Sequence, residues 1–314
     1  MQLENIEYSQ NQSISIQVYY GKKVGSASCN CLDNHALSTA LEAACAAARF
    51  VEPDPFAGLP EASSLVNPHN LPDLDVFHKC ELEVEEILTL CQTIEQAGFD
   101  YSKSVVNSEG ASLQAAQSID FLALKLAGES QPFIVCQPDT YYSISCALIA
   151  GKDKNHADKQ VGHWFDQAVN HDKLMTAESL GSIAAKRAVN TLGARTLNTA
   201  KLPVLFDSGT AKSFLGYLLK AISGKRIYEK TSFLADALGK TTFPDYLSLS
   251  EQPFIPQGIK SASFDAEGVA TRSKKIIDQG QLSTYLLSSY TGRMLNRPST
   301  GNAGGVHNLS LIHI

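Results

Sequence analysis

Residues 13–50 change their hydrophobic period in mid-course, and this change limits the folds open to the chain. Ile14, Ile16 and Val18 alternate with polar residues and Gly21-Lys22-Lys23 supplies a turn, so 13–29 reads as a β-hairpin. From residue 33 the period becomes helical. Asp33 or Asn34 caps a helix over 33–50, and Ala36, Leu37, Ala40, Leu41, Ala44, Ala47 and Ala48 form one stripe of small residues suited to lying close on a sheet.

The same alternation of strand pairs and long helices recurs downstream. A helix is expected over 81–97 on the Ile87, Leu90, Cys91 and Ile94 face. Residues 103–170 are strand-rich, with "KSVVNSEGASLQAAQS", "FIVCQP" and "YYSISCALIAG" read as successive antiparallel strands separated by Gly or Pro. A helix over 176–192 stops at Gly193. "VLFDSGTAKSFLGYLLKAI" (204–222) reads as a short strand running into an amphipathic helix with Ala211, Phe214, Leu215, Leu218 and Ile222 on its buried stripe. Strands around a Gln279-Gly280 turn and a short helix follow. The expected class is α+β, with antiparallel sheets packed with long helices in a multi-domain architecture.

Between the first helix and the second, 52–78 hold five prolines and no periodicity, which marks a linker or a functional covering. The expected division is 1–60 as the end of an N-terminal α/β domain and 61–80 as a Pro-rich connector. A central α+β domain over 81–195 and the start of a truncated β-rich domain over 196–314 complete it. The chain enters patterned sequence almost at once and stops just after a new apolar strand. These ends predict a piece of a longer protein, with the last few residues outside the native frame.

Composition excludes several function classes. The net charge of −6, without a compensating basic run, gives no general attraction to nucleic acid or an anionic membrane. No apolar run is long enough to span a bilayer, and "MQLENIEYSQ" lacks the features of a signal peptide. Seven scattered cysteines without a C-x-x-C pair point to a reducing, cytoplasmic location. Cys29 and Cys31 read as half-buried packing in a strand.

The motifs offer no self-sufficient active site. None of the eight histidines forms an H-E-x-x-H pair, and His156, His163 and His171 read as surface histidines on a sheet. No G-x-S-x-G elbow occurs. "DSGTAKS" leaves a strand and opens a helix but lacks phosphate-loop spacing, so Asp207 or Ser208 is read as a plain helix cap. In "FDAEG", Phe264, Asp265, Glu267 and Gly268 suit a tight turn better than a cation site. "STGNAGG" (299–305) is a loop of bare N–H groups followed by His307; such a loop holds a peptide main chain or an anion, or simply crosses.

Several stretches together resemble the TldD/PmbA family, in particular its PmbA (TldE) branch. They are "EPDPFAGLP" (52–60), "PDLDVFH" (72–78), "LPVLFDSGTAKSFLGYLLKAISG" (202–224), "SFDAEGVATRSKKIIDQGQLSTYLLSSYTGRML" (263–295) and "STGNAGGVHN" (299–308). The resemblance implies a cytoplasmic protease complex of two homologous subunits that cleaves peptides and unfolded small proteins. A TldD-type partner would carry the catalytic zinc on a His-Glu-x-x-x-His helix, and the PmbA-type subunit would shape the substrate chamber. Aligned without gaps from Pro203, those ligand and base positions fall near Gly216, Tyr217 and Ala221, none of which supplies a zinc donor. No metal or other cofactor is therefore expected in this chain. The implied substrate-binding residues are Phe264, Asp265, Glu267, Gly268, Asn302, Gly304, Gly305 and His307. Two alternatives stand beside this reading: a metalloprotease in its own right with His307 among its ligands, and a non-enzymatic adaptor linked to DNA gyrase modulation.

Overall fold

The structure, a computed structural model, describes residues 3–152 and 158–313. β1 (Ile14–Tyr20) and β2 (Lys23–Cys29) form the expected hairpin, paired from Ile14↔Cys29 to Tyr20↔Lys23. α1 (Asn34–Phe50) begins at Asp33, whose carboxylate accepts from the backbone N–H of Ala36. Its buried stripe is Ala40, Ala44 and Ala48, narrower than predicted, and Leu41 is half-exposed. The cause lies in β2: a Cβ at Gly25 would stand 2.0 Å from the carbonyl oxygen of Ala44. The helix backbone thus rests directly on the strand, and only residues at the line of contact are covered.

The central unit repeats this device. α2 (Val84–Tyr101) opens with a reciprocal capping box between Glu83 and Glu86. β3 (Val105–Leu124), β4 (Phe133–Ala150) and β5 (Gln160–Ala168) form an antiparallel sheet in that order. α3 (Ala177–Asn190), capped by Thr176, lies on it. A Cβ at Gly162 in β5 would stand 2.2 Å from the carbonyl oxygen of Ala184, the counterpart of the Gly25–Ala44 contact. Ile94, Ile144, Leu148 and Leu180 fill the space between helices and sheet.

Two sequence expectations fail in this unit. "FIVCQP" and "YYSISCALIAG" are one continuous strand, β4, with Pro138 inside it. Thr140 donates its N–H to Val76, away from β3. Pro138, two residues earlier, faces the same side, so its missing N–H breaks no ladder bond. The histidines also do not share a sheet: His163 is exposed on β5, His171 packs edge-on against Tyr142 from a short 3₁₀ turn, and His156 lies outside the described residues.

The C-terminal unit contains α4 (Ser208–Ala221), α5 (Gly224–Tyr228), β6 (Leu247–Glu251), β7 (Lys274–Asp278), β8 (Gln281–Leu282), α6 (Ser289–Met294) and β9 (Leu309–His313). Its antiparallel sheet has the order β8-β7-β6-β9. Ile222, Leu249, Ile276, Ile277, Leu282 and Leu287 form the core. Asp207 caps α4 by accepting from Thr210, as expected, and also pairs with Arg187 at the end of α3. The predicted strand before α4 is absent: no described strand pairs with 201–207, and Leu205 is 98% exposed. The predicted buried stripe of α4 is also incomplete. Leu215 and Leu218 lie partly against the core and Ile222 is buried, but Phe214 is half-exposed and no residue within α4 is buried.

The Pro-rich stretch bonds to every unit rather than hanging between them. Asp54 donates its N–H to Lys22 of the first hairpin, and Lys22 Nζ returns a bond to Ala57. Arg293 of α6 donates to the carbonyls of Phe56, Gly58 and Leu59. Leu65 forms an antiparallel bridge with Val269, and Leu74 accepts from Gln257.

Candidate functional site

Two turns and one strand end meet in the C-terminal unit. "FDAEG" is a tight turn rather than a strand, closed by a single bridge between Phe264 and Ala270. Asp265 is buried at its centre. Its Oδ1 accepts from the backbone N–H groups of Glu267 (2.9 Å) and Val269 (3.0 Å), and its carbonyl accepts from Gly268 (2.9 Å). Its Oδ2 accepts from the N–H of Ala303 at 2.9 Å, fastening the turn to the glycine-rich loop. Burial pushes the Asp265 carboxyl above its ordinary range, against the pull of these three N–H donors. Glu267 reaches the other way and accepts from the N–H of Ser289 at the start of α6. Gly268, at φ 80, faces the central sheet: a Cβ there would lie 2.9 Å from side-chain atoms of Leu122 and Phe133.

The loop is held from beneath by Glu251, the last residue of β6. Its side chain is 0% exposed. Oε1 accepts from the N–H of His307 (2.7 Å), from Nδ1 of His307 (2.8 Å) and from Nδ2 of Asn302 (2.9 Å). Oε2 accepts from Lys274 Nζ at 2.8 Å, and Lys274 also donates to the carbonyl of Thr300. Burial opposes the charge on Glu251, but the bonds from His307 and Lys274 outweigh it and hold the carboxyl below its ordinary range. Burial likewise lowers Lys274, and Glu251 offsets part of that shift. A charged pair in the interior needs further hydrogen bonds to offset its desolvation, and here Glu251 also accepts from His307 and Asn302 while Lys274 also donates to Thr300.

The structure therefore brings Asp265, Glu267, Asn302, Gly305 and His307 into one bonded frame, with Phe264 and Gly268 at the edges of the turn and Gly304 exposed on the loop without a hydrogen bond among the described residues. Glu251 and Lys274, which hold that frame, escaped the motif reading. A signal for them exists: Glu251 is in phase with Leu247 and Leu249 along "LSLSE", and Lys274 with Ile276 along "KKIID". A charge in phase with buried strand positions faces the interior.

Gly216, Tyr217 and Ala221 lie elsewhere, on α4. Nothing stands within 4 Å of a Cβ built at Gly216, Tyr217 is 71% exposed, and Ala221 packs partly on the core. Zinc needs thiolate, imidazole or carboxylate donors, and α4 contains no Cys, His, Asp or Glu. The residues present do not fit the metal. Among the described residues, no helix is long and apolar enough to cross a membrane.

Comparison with known proteins identifies the family. Residues 1–48 match the family profile described as PmbA/TldA metallopeptidase domain 1, and 199–313 match the PmbA/TldA metallopeptidase C-terminal domain. The chain is 34% identical over 310 residues to a metalloprotease PmbA homolog of Haemophilus influenzae, covering 98% of this chain and 66% of that protein. This chain belongs to the PmbA/TldD family. Metalloprotease PmbA of Escherichia coli O157:H7 is 35% identical over 307 residues, again across 98% of this chain and 66% of the relative. The chain thus spans 66% of the length of these PmbA relatives. Two crystal structures show the PmbA/TldD fold. A candidate modulator of DNA gyrase from Bacteroides thetaiotaomicron superposes with a TM-score of 0.81 at 20% identity, over 95% of this chain and 66% of that one. TldE from Thermococcus kodakarensis superposes with a TM-score of 0.69 at 18% identity, over 95% and 67%.

Proposed function

We propose that this chain is the PmbA/TldE-type subunit of a cytoplasmic two-subunit metalloprotease that cleaves peptides and unfolded small proteins, and that it shapes the substrate chamber without binding the catalytic metal. The observation that carries this reading is α4, a capped, intact helix with no zinc donor at Gly216, Tyr217 or Ala221. Loss of ligands with retention of the helix fits a subunit whose fold is used and whose chemistry is supplied by a TldD-type partner. The rigid frame around Asp265 and Glu251 supports the chamber role, since backbone held in place presents fixed main-chain groups to a substrate.

The test is production of the full-length chain alone and together with a TldD-type chain of the same cell. The two should co-elute, zinc should accompany the partner, and an unfolded peptide should be cleaved only by the pair. Stoichiometric zinc or peptidase activity in the isolated full-length chain would instead make it a metalloprotease in its own right.

A further inference from the structure

One face of the central sheet is covered along only part of its length. Alternate residues of β4 from Ile134 to Ala150, with their partners on β3, share that face. From Thr140 onward it is closed. Thr140 Oγ1 donates to the carbonyls of Val76 and Val169, and Ile144, Cys146 and Leu148 pack against Ile94 of α2 and Leu180 and Ala184 of α3. Towards the tip of the β3–β4 ribbon the same face is open. Ile119, Phe121 and Ala123 stand opposite Pro138, Cys136 and Ile134, and all six are exposed, Phe121 to 73%. Their exposed parts amount to roughly 500 Å², a size at which an apolar patch is often functional.

The other face of this ribbon is seated on the candidate site. Leu122 and Phe133 touch the place of a Cβ at Gly268, and Gln137 donates to the carbonyl of Ser261, shortly before the "FDAEG" turn. A chain packed on the open face would stand about 10 Å from the ribbon, with that turn on the far side.

Chemistry and area narrow the occupant. Main-chain N–H and C=O groups lie in the plane of a sheet, so the face offers an extended peptide no main-chain bonds and suits a second packed layer. None of the six residues is charged, so neither nucleic acid nor an anionic membrane finds a counter-charge there. Two such faces in contact would bury about 1,000 Å², the area a biological interface needs, and a homologous chain brings the second face.

We propose that the open face of the β3–β4 ribbon is the docking surface for the homologous TldD-type subunit, packed face to face through its equivalent ribbon. The proposal rests on the subunit reading above for the identity of the partner.

The experiment labels cysteines with a maleimide in the full-length chain, alone and in complex with the TldD-type chain of the same cell, and maps them by mass spectrometry. Cys136 lies within the patch, and Cys31, beyond the first hairpin, is also exposed. The complex should slow labelling of Cys136 by about 10-fold or more, as for a residue in a close-packed interface core, and leave Cys31 unchanged. Phe121→Asp should keep the thermal midpoint and weaken affinity for the partner about 30-fold or more, the loss of an aromatic anchor. Phe50→Asp, at another exposed aromatic, should bind as the wild type does. Undiminished labelling of Cys136 in the complex, full affinity of Phe121→Asp, or equal weakening by Phe50→Asp overturns the docking surface and leaves the subunit reading standing. Protection of Cys136 by self-association of the isolated chain, or by a neutral unfolded peptide, also overturns it, since the face then belongs to a second copy or to substrate. Absence of any wild-type complex refutes the subunit reading and the docking surface with it.

Discussion

Glu251 grips His307 twice, through the backbone N–H at 2.7 Å and through Nδ1 at 2.8 Å, and joins residues 56 positions apart in the chain. The same carboxylate faces Lys274 at 2.8 Å. One buried acid thus ties the end of β6 to β7 and to the glycine-rich loop.

Removing one member of this buried pair leaves the other without its counter-charge. Lys274→Met should destabilise the protein by about 3 kcal/mol. Glu251→Gln should cost a similar amount and also free the loop. Urea unfolding of each variant checks the magnitude, and hydrogen exchange at 300–308 separates them, rising more in Glu251→Gln.

The two buried acids give opposite pH dependence. Glu251 titrates lower in the fold than in the unfolded chain, so its contribution is present above about pH 4.3 and is lost as pH falls through its folded value. Asp265 titrates higher in the fold, so its contribution is present below about pH 3.9 and fades as pH rises through its folded value. Glu251→Gln should therefore flatten the acid-side loss of stability, and Asp265→Asn should steepen it. Urea midpoints between about pH 3 and pH 7 show the two slopes.

Gly268 combines a left-handed backbone with close contact to Leu122 and Phe133. Gly268→Ala should cost about 1–2 kcal/mol through backbone strain and crowding. It should also loosen the seat of the turn on β3 and β4, measurable as faster exchange at Val66, whose N–H bonds to Gly268.

Gly216 occupies an exposed position inside α4 with open space where a side chain would go. Gly216→Ala should stabilise the protein by about 0.8–1 kcal/mol, read as a rise in the thermal midpoint. Installing Gly216→His, Tyr217→Glu and Ala221→His together should yield at most weak zinc binding by calorimetry, because supporting partners are also required. Tight, stoichiometric binding by the triple variant would show that only these side chains had been lost.

Much of the local structure was legible from neighbouring residues. The hairpin at 14–29, the alanine stripe of α1, the Asp207 cap and the donor-free positions of α4 all depend on residues a few places apart. The failures occurred where distant partners decide. Pro138 looked like a strand break until the free side of β4 was known, and 204–206 looked like a strand although no described strand pairs with it.

By itself the sequence determined the element types, the α+β class and the absence of zinc donors on α4, because period, capping and side-chain chemistry are local properties. Only the tertiary structure decided that Asp265 meets Ala303 and that Glu251 meets Lys274, Asn302 and His307. Those bonds join segments far apart in the chain, and a buried carboxylate takes whichever donors the packed fold brings within reach.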